Sequence, residues 1–86
     1  MGFDEFREKA AKLVLPDNSL LQRFNLHKLK NYFDVYPFPH NGKKYILLIP
    51  VQIKPAKIKN FSEHEAKEAK IFLMEVEQDK AKKIWP

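Results

Sequence analysis

The dipeptide Asn41-Gly42 lies between two runs dense in aromatic and β-branched residues, Tyr32 to Phe38 and Tyr45 to Ile53. Both residues reach positive φ at little steric cost, which is what the two central positions of a type I′ turn require. With these two at the turn, His40 faces Lys43, Phe38 faces Tyr45, Tyr36 faces Leu47 and Asp34 faces Ile49. Alternation then puts Tyr32, Tyr36, Phe38, Tyr45, Leu47, Ile49, Val51 and Ile53 on one face of the hairpin. Phe33, Val35, Pro37, Ile46, Leu48 and Pro50 take the other. Both faces are apolar near the middle, so the predicted hairpin is covered on one side and partly on the other. Pro37, Pro39 and Pro50 cannot donate to a ladder and mark edges, bulges or bends.

Helical patterns flank the hairpin. Phe3, Phe6, Ala10, Leu13 and Val14 recur at helical spacing and predict an amphipathic helix over 3–15, ended by Pro16-Asp17-Asn18. Residues 19–30 carry two competing signals. Ser19-Leu20-Leu21-Gln22 is a capping-box pattern, whereas Phe24 and Leu26 alternate with Asn25 and His27 as a strand would. The expectation is a short helix or turn running into a strand. Pro55 to Phe61 reads as a basic loop.

Ser62-Glu63-His64-Glu65 is a second capping-box pattern, with Glu63–Lys67 and Asp79–Lys83 as i,i+4 pairs beyond it. These predict a helix from 62 to about 84. Its main stripe, Ala66, Ala69, Phe72, Leu73, Val76 and Ile84, would face the sheet. Ile71, Met74 and Trp85 would form a second patch, a candidate protein contact surface.

The predicted fold class is therefore α+β, a single domain over residues 1–86. An N-terminal helix, a β-hairpin open to a third antiparallel strand and a C-terminal helix packed on the sheet make up the architecture. The helix–hairpin–helix order admits α-β-β-β-α, and Glu65-Ala66-Lys67 with Ala69 looks like the start of the last helix in the double-stranded RNA-binding domain. Glu63 and His64 stand where that family carries paired lysines, and no family is assigned on about ten residues.

The charge distribution gives the functional lead. Between Asn18 and Ser62 lie eight Lys or Arg residues and one acid, Asp34, so this segment is formally +7. Residues 1–17 and 63–86 are each −1, which returns the +5 of the whole chain. A charge excess confined to one part of a domain creates a local field that attracts anions. Lys43 and Lys44 at the hairpin tip, with Lys54, Lys57 and Lys59 beyond its second strand, are the candidate phosphate contacts. Tyr36 and Tyr45 are the candidate stacking aromatics. Fourteen Lys against two Arg favour backbone contacts over bidentate base reading.

The leading expectation is a small non-catalytic nucleic-acid-binding protein. The alternative is a protein-interaction module, a homodimer or accessory subunit, that uses Ile71, Met74 and Trp85. No Gly-rich phosphate loop fits a chain with only two glycines. No cysteine is present for a thiolate site, and His27, His40 and His64 show no metal-ligand or metalloprotease spacing, so no cofactor or metal is expected. The enzymatic alternative is a small ribonuclease or toxin-like enzyme, with His40, Asp34 and a tyrosine for acid–base chemistry, and no spacing singles it out. The longest apolar run, Tyr45 to Val51, is far shorter than the roughly 20 residues of a membrane-spanning helix. The start Met1-Gly2-Phe3-Asp4-Glu5 does not read as a secretory leader. A cytoplasmic protein is expected, and the lysine and glutamate content would suit a thermophile.

Overall fold

The computed structural model describes residues 2–86. In chain order the elements are α1 (Phe3–Ala11), α2 (Ser19–Arg23), a 3-10 turn (His27–Leu29), β1 (Phe33–Pro37) and β2 (Tyr45–Pro50). A second 3-10 turn (Pro55–Asn60), α3 (Glu63–Glu68), β3 (Phe72–Glu77) and β4 (Lys80–Trp85) follow. The four strands form one antiparallel sheet in the order β1-β2-β3-β4. The α+β class holds, with one strand more than the three-stranded option and without a long C-terminal helix.

The hairpin forms in the register set by its turn. Asp34 pairs with Ile49 and Tyr36 with Leu47, while His40 and Lys43 bridge across Asn41 and Gly42, whose φ angles are 49° and 77°. The two faces separate as the alternation requires. Tyr36, Phe38, Leu47 and Ile49 belong to one core with Phe6, Ala10, Ile58, Ala66, Ile71 and Leu73. Val35, Ile46 and Leu48 belong to the other, with Leu21 and Phe24 of α2. Helices α1 and α3 and the second 3-10 turn cover the first face. The shorter α2 and the turn after it cover the second face, where β1 and β2 residues are buried and Phe72, Met74, Val76 and Ala81 are half-buried against the same cluster. Tyr32 and Val51, placed on the first face by alternation, lie beyond the strand ends and are exposed.

Helix α1 stops at Ala11, four residues before the predicted end, and Val14 and Leu15 are exposed rather than packed. The reason lies at the sheet edge. Asp17 N–H donates to Val35 O at 2.7 Å, and Val35 N–H donates to Asn18 Oδ1 at 2.8 Å. The chain must leave α1 early to satisfy the outer backbone groups of β1, which would otherwise be unpaired. Residues 19–30 become α2 and a 3-10 turn, and the strand half of that expectation begins only at Phe33.

The predicted helix over 62–84 is a correction. The Ser62 capping box forms, with Glu65 N–H donating to Ser62 Oγ at 3.1 Å and Ser62 N–H to Glu65 Oε1 at 3.0 Å. The helix it starts ends after Glu68, where Lys70 turns left-handed at φ 62°. Residues 72–85 then form the β3–β4 hairpin around Gln78-Asp79. Phe72 and Val76 satisfy a helical stripe and a strand alternation alike, Met74 fits the alternation alone, and pairing with β2 decides for the strand. Leu73 lies opposite Leu47 and Met74 opposite Ile46. Across the new hairpin, Glu75 faces Lys82 and Glu77 faces Lys80, opposite charges that suit antiparallel neighbours. The α-β-β-β-α order goes with that helix. Among the described residues, no helix is long and apolar enough to cross a membrane.

Candidate nucleic-acid interface

The chain's own hydrogen bonds place the basic residues. Lys43 and Lys44 precede β2, whereas Lys54, Lys57 and Lys59 follow it. Lys44 and Lys54 are therefore separated by the length of the strand, on the order of 20 Å at 3.3 Å per residue. The five lysines named from the sequence do not form one surface. All five are exposed: Lys43 and Lys44 precede β2, Lys54 follows it, and Lys57 and Lys59 lie on the 3-10 turn that packs against α1.

The end at which β2 finishes collects more charge. Tyr32 N–H donates to Leu29 O at 2.9 Å, which carries Lys28 and Lys30 to the start of β1. Tyr32 O accepts from Val51 N–H at 3.0 Å, and Ile53 N–H donates to Pro50 O at 2.9 Å, so the turn leading to Lys54 lies beside Tyr32. Lys70, between α3 and β3, reaches the same place. With Tyr32, Phe33, Pro50, Gln52 and Glu68 it lines a shallow recess of about 420 Å³. Lys70 thus lines this recess with Tyr32, which is 65% exposed. Lys30, two residues before Tyr32, lines a separate recess with Asn18 and His27, and Lys54 is followed by Lys57 and Lys59 on the next 3-10 turn. Among the described residues Glu68 is the one acid lining the recess, and its carboxylate lies 2.7 Å from His64 Nε2.

Lys30, Tyr32 and Lys70 were not among the residues singled out from the sequence. Lys30 belongs to the basic segment and Tyr32 to the aromatic face of the predicted hairpin, so two of the three are within reach of a charge-and-aromatic reading. Lys70 was not, because it was expected inside a helix.

The stacking aromatics move accordingly. Tyr36 is 4% exposed in the core, and its phenol is pushed above its ordinary value of 10.0, first by burial and then by the nearby Asp34 carboxylate. It cannot present a ring to a base. Tyr45 is half-buried against the α1-side core. The second apolar patch also dissolves with its helix. Ile71 is fully buried, Met74 packs on the α2 side, and Trp85 lies 5.1 Å from Phe6 and 6.1 Å from Phe3 between ring centroids. The interaction surface built on those three residues is therefore corrected as well.

His40 has a structural assignment. Its Nε2 lies 3.2 Å from Glu5 Oε1 and its Nδ1 3.1 Å from Lys9 Nζ, while Lys9 also donates to Pro39 O at 2.7 Å. Donation from Nε2 to Glu5 and acceptance at Nδ1 from Lys9 is the tautomer that satisfies both contacts. The ring ties α1 to the hairpin tip. Asp34 accepts instead from Asn18 Nδ2 at 3.0 Å. It stands six residues back along the strand from His40, about 20 Å in extended backbone. The two share no site for acid–base chemistry. Among the described residues, no group of three His, Asp or Glu side chains is placed to hold a metal ion. Comparison with known proteins finds no matching family model, no matching curated protein and no matching solved structure.

Proposed function

We propose that this is a small non-catalytic nucleic-acid-binding protein whose binding surface is the end of the sheet around Tyr32. The observation that carries the reading is Lys70 in one recess with the exposed Tyr32, whose backbone bonds to Leu29 and Val51 hold it between the segments that carry Lys30 and Lys54, with Lys57 and Lys59 following. Lysines make point-charge contacts to phosphate and release counterions as they do so, whereas the flat face of Tyr32 suits stacking on an unpaired base. With no arginine in this group, bidentate reading of base edges is absent from the scheme, so sequence preference is weak.

Fluorescence anisotropy of a labelled single-stranded oligonucleotide, measured across a salt series, tests it. Replacing Lys30, Lys54 and Lys70 together by alanine should weaken binding at every sequence. It should also flatten the log–log salt slope by about 2, at roughly 0.7 per phosphate contact on a single strand. Tyr32→Ala should weaken binding by about 1–3 kcal/mol, and Tyr32→Phe should retain it. Lys43→Ala with Lys44→Ala, at the far end, should change little. Equal affinity and slope in the triple variant would overturn the proposal.

A further inference from the structure

The two edges of the sheet are treated differently. On β1, the outward N–H and C=O of Val35 are both used by the segment Asp17-Asn18. On β4, the only strand neighbour among the described residues is β3, and Lys80, Lys82, Lys83 and Ile84 are exposed along its length. An antiparallel edge strand left this way presents unused backbone donors and acceptors to an incoming chain.

We propose that β4 receives an extended acidic segment of a partner protein as a fifth strand. Charge selects the occupant. In a two-fold pairing of β4 with a second copy of itself, every register centred between Ala81 and Lys83 sets a lysine opposite a lysine, and like charges directly opposed are unfavourable. The occupied side of β4 shows what does fit. There Glu77 faces Lys80, Val76 faces Ala81 and Glu75 faces Lys82. A partner in which acids alternate with apolar residues repeats that pattern on the outer side. Its acids meet Lys80 and Lys82 on one face of the sheet. Its apolar side chains lie on the other face beside Ala81 and the stem of Lys83, whose Nζ is 5.1 Å from the Phe72 ring, at the border of the half-buried Phe72, Met74 and Val76 of β3. This surface is separate from the basic end around Tyr32, so the two proposals fail independently.

Titration of isotopically labelled protein with an end-blocked octapeptide of alternating Glu and Val, followed by amide chemical shifts and hydrogen exchange, provides the test. Shifts and slowed exchange should appear along Lys80–Trp85 and not along β1. The same peptide with Lys in place of Glu should leave those amides unmoved, a comparison that needs no change to the protein. Lys80→Gln with Lys82→Gln should weaken the Glu–Val peptide about tenfold. Unmoved β4 amides, an equal response to both peptides, or a dimer that buries β4 against β4 in sedimentation would each overturn the proposal.

Discussion

Phe6 occupies the centre of the α1-side core, with its ring 5.6 Å from that of Phe38 and 5.1 Å from that of Trp85, which ties the helix to β4 and to the residue after β1 at once. Truncation leaves a cavity bounded by three other aromatic or aliphatic walls, so Phe6→Ala should cost about 3–5 kcal/mol in urea unfolding. Leu73→Ala, buried at the β2–β3 contact, should cost about 2–5 kcal/mol. Lys57→Ala, exposed and without a carboxylate partner among the described ion pairs, should stay within about 0.5 kcal/mol. Melting temperatures that failed to separate the first two from the third would contradict the core assignment. Tyr36 adds a pH signature. Its phenol keeps its proton to higher pH in the folded protein than in the unfolded chain, whose ordinary value is 10.0. The stability it contributes is complete below that value and is lost as pH rises through the folded one. Stability measured from pH 9 upward should decline more gently in Tyr36→Phe than in the parent.

At the scale of elements, turn chemistry decides which parts of the chain were legible. Asn41 and Gly42 fix a two-residue turn, and from that one feature the β1–β2 register and both of its faces follow. Gly42→Ala places a Cβ at φ 77° and should destabilise the protein by about 1–2 kcal/mol, although nothing lies within 4 Å of the added atom. The second hairpin has no such marker. Its turn is Gln78-Asp79, with Gln78 at φ 56°, and α3 ends at Lys70 rather than at glycine. Both are positions where a non-glycine residue takes the left-handed conformation because tertiary pairing pays for it. Good helix formers such as Glu65, Ala66, Lys67 and Glu68 carried the periodic reading across that boundary. The candidate site inherited the same blindness, since Lys70 reaches Tyr32 only when the helix stops before it. The capping box itself was legible, and Ser62→Ala should cost about 1 kcal/mol. Glu65 is held below its ordinary value by the hydrogen bond from the Ser62 backbone and then by the Ser62 hydroxyl. Its contribution is present at neutral pH and disappears as pH falls through the lowered value.

Over the whole molecule, β2 is the strand with neighbours on both sides and cover on both faces, and Ile46 to Pro50 are all buried. Amide hydrogen exchange should be slowest there and fastest in β4, where one side has no strand and most side chains face solvent. Equal protection of the two strands would contradict the order of the sheet. The charge excess seen along the sequence is real but is divided by the fold. Lys43 and Lys44 precede β2 and Lys54 follows it, while Lys70 joins Tyr32 from the connection between α3 and β3.

The hydrogen bonds that Asp17 and Asn18 make to Val35 also limit stoichiometry. A ladder that can be extended on one border only cannot run on from molecule to molecule. On the proposal that β4 receives a partner strand, the blocked border at β1 keeps copies of this chain from joining edge to edge in a continuing series.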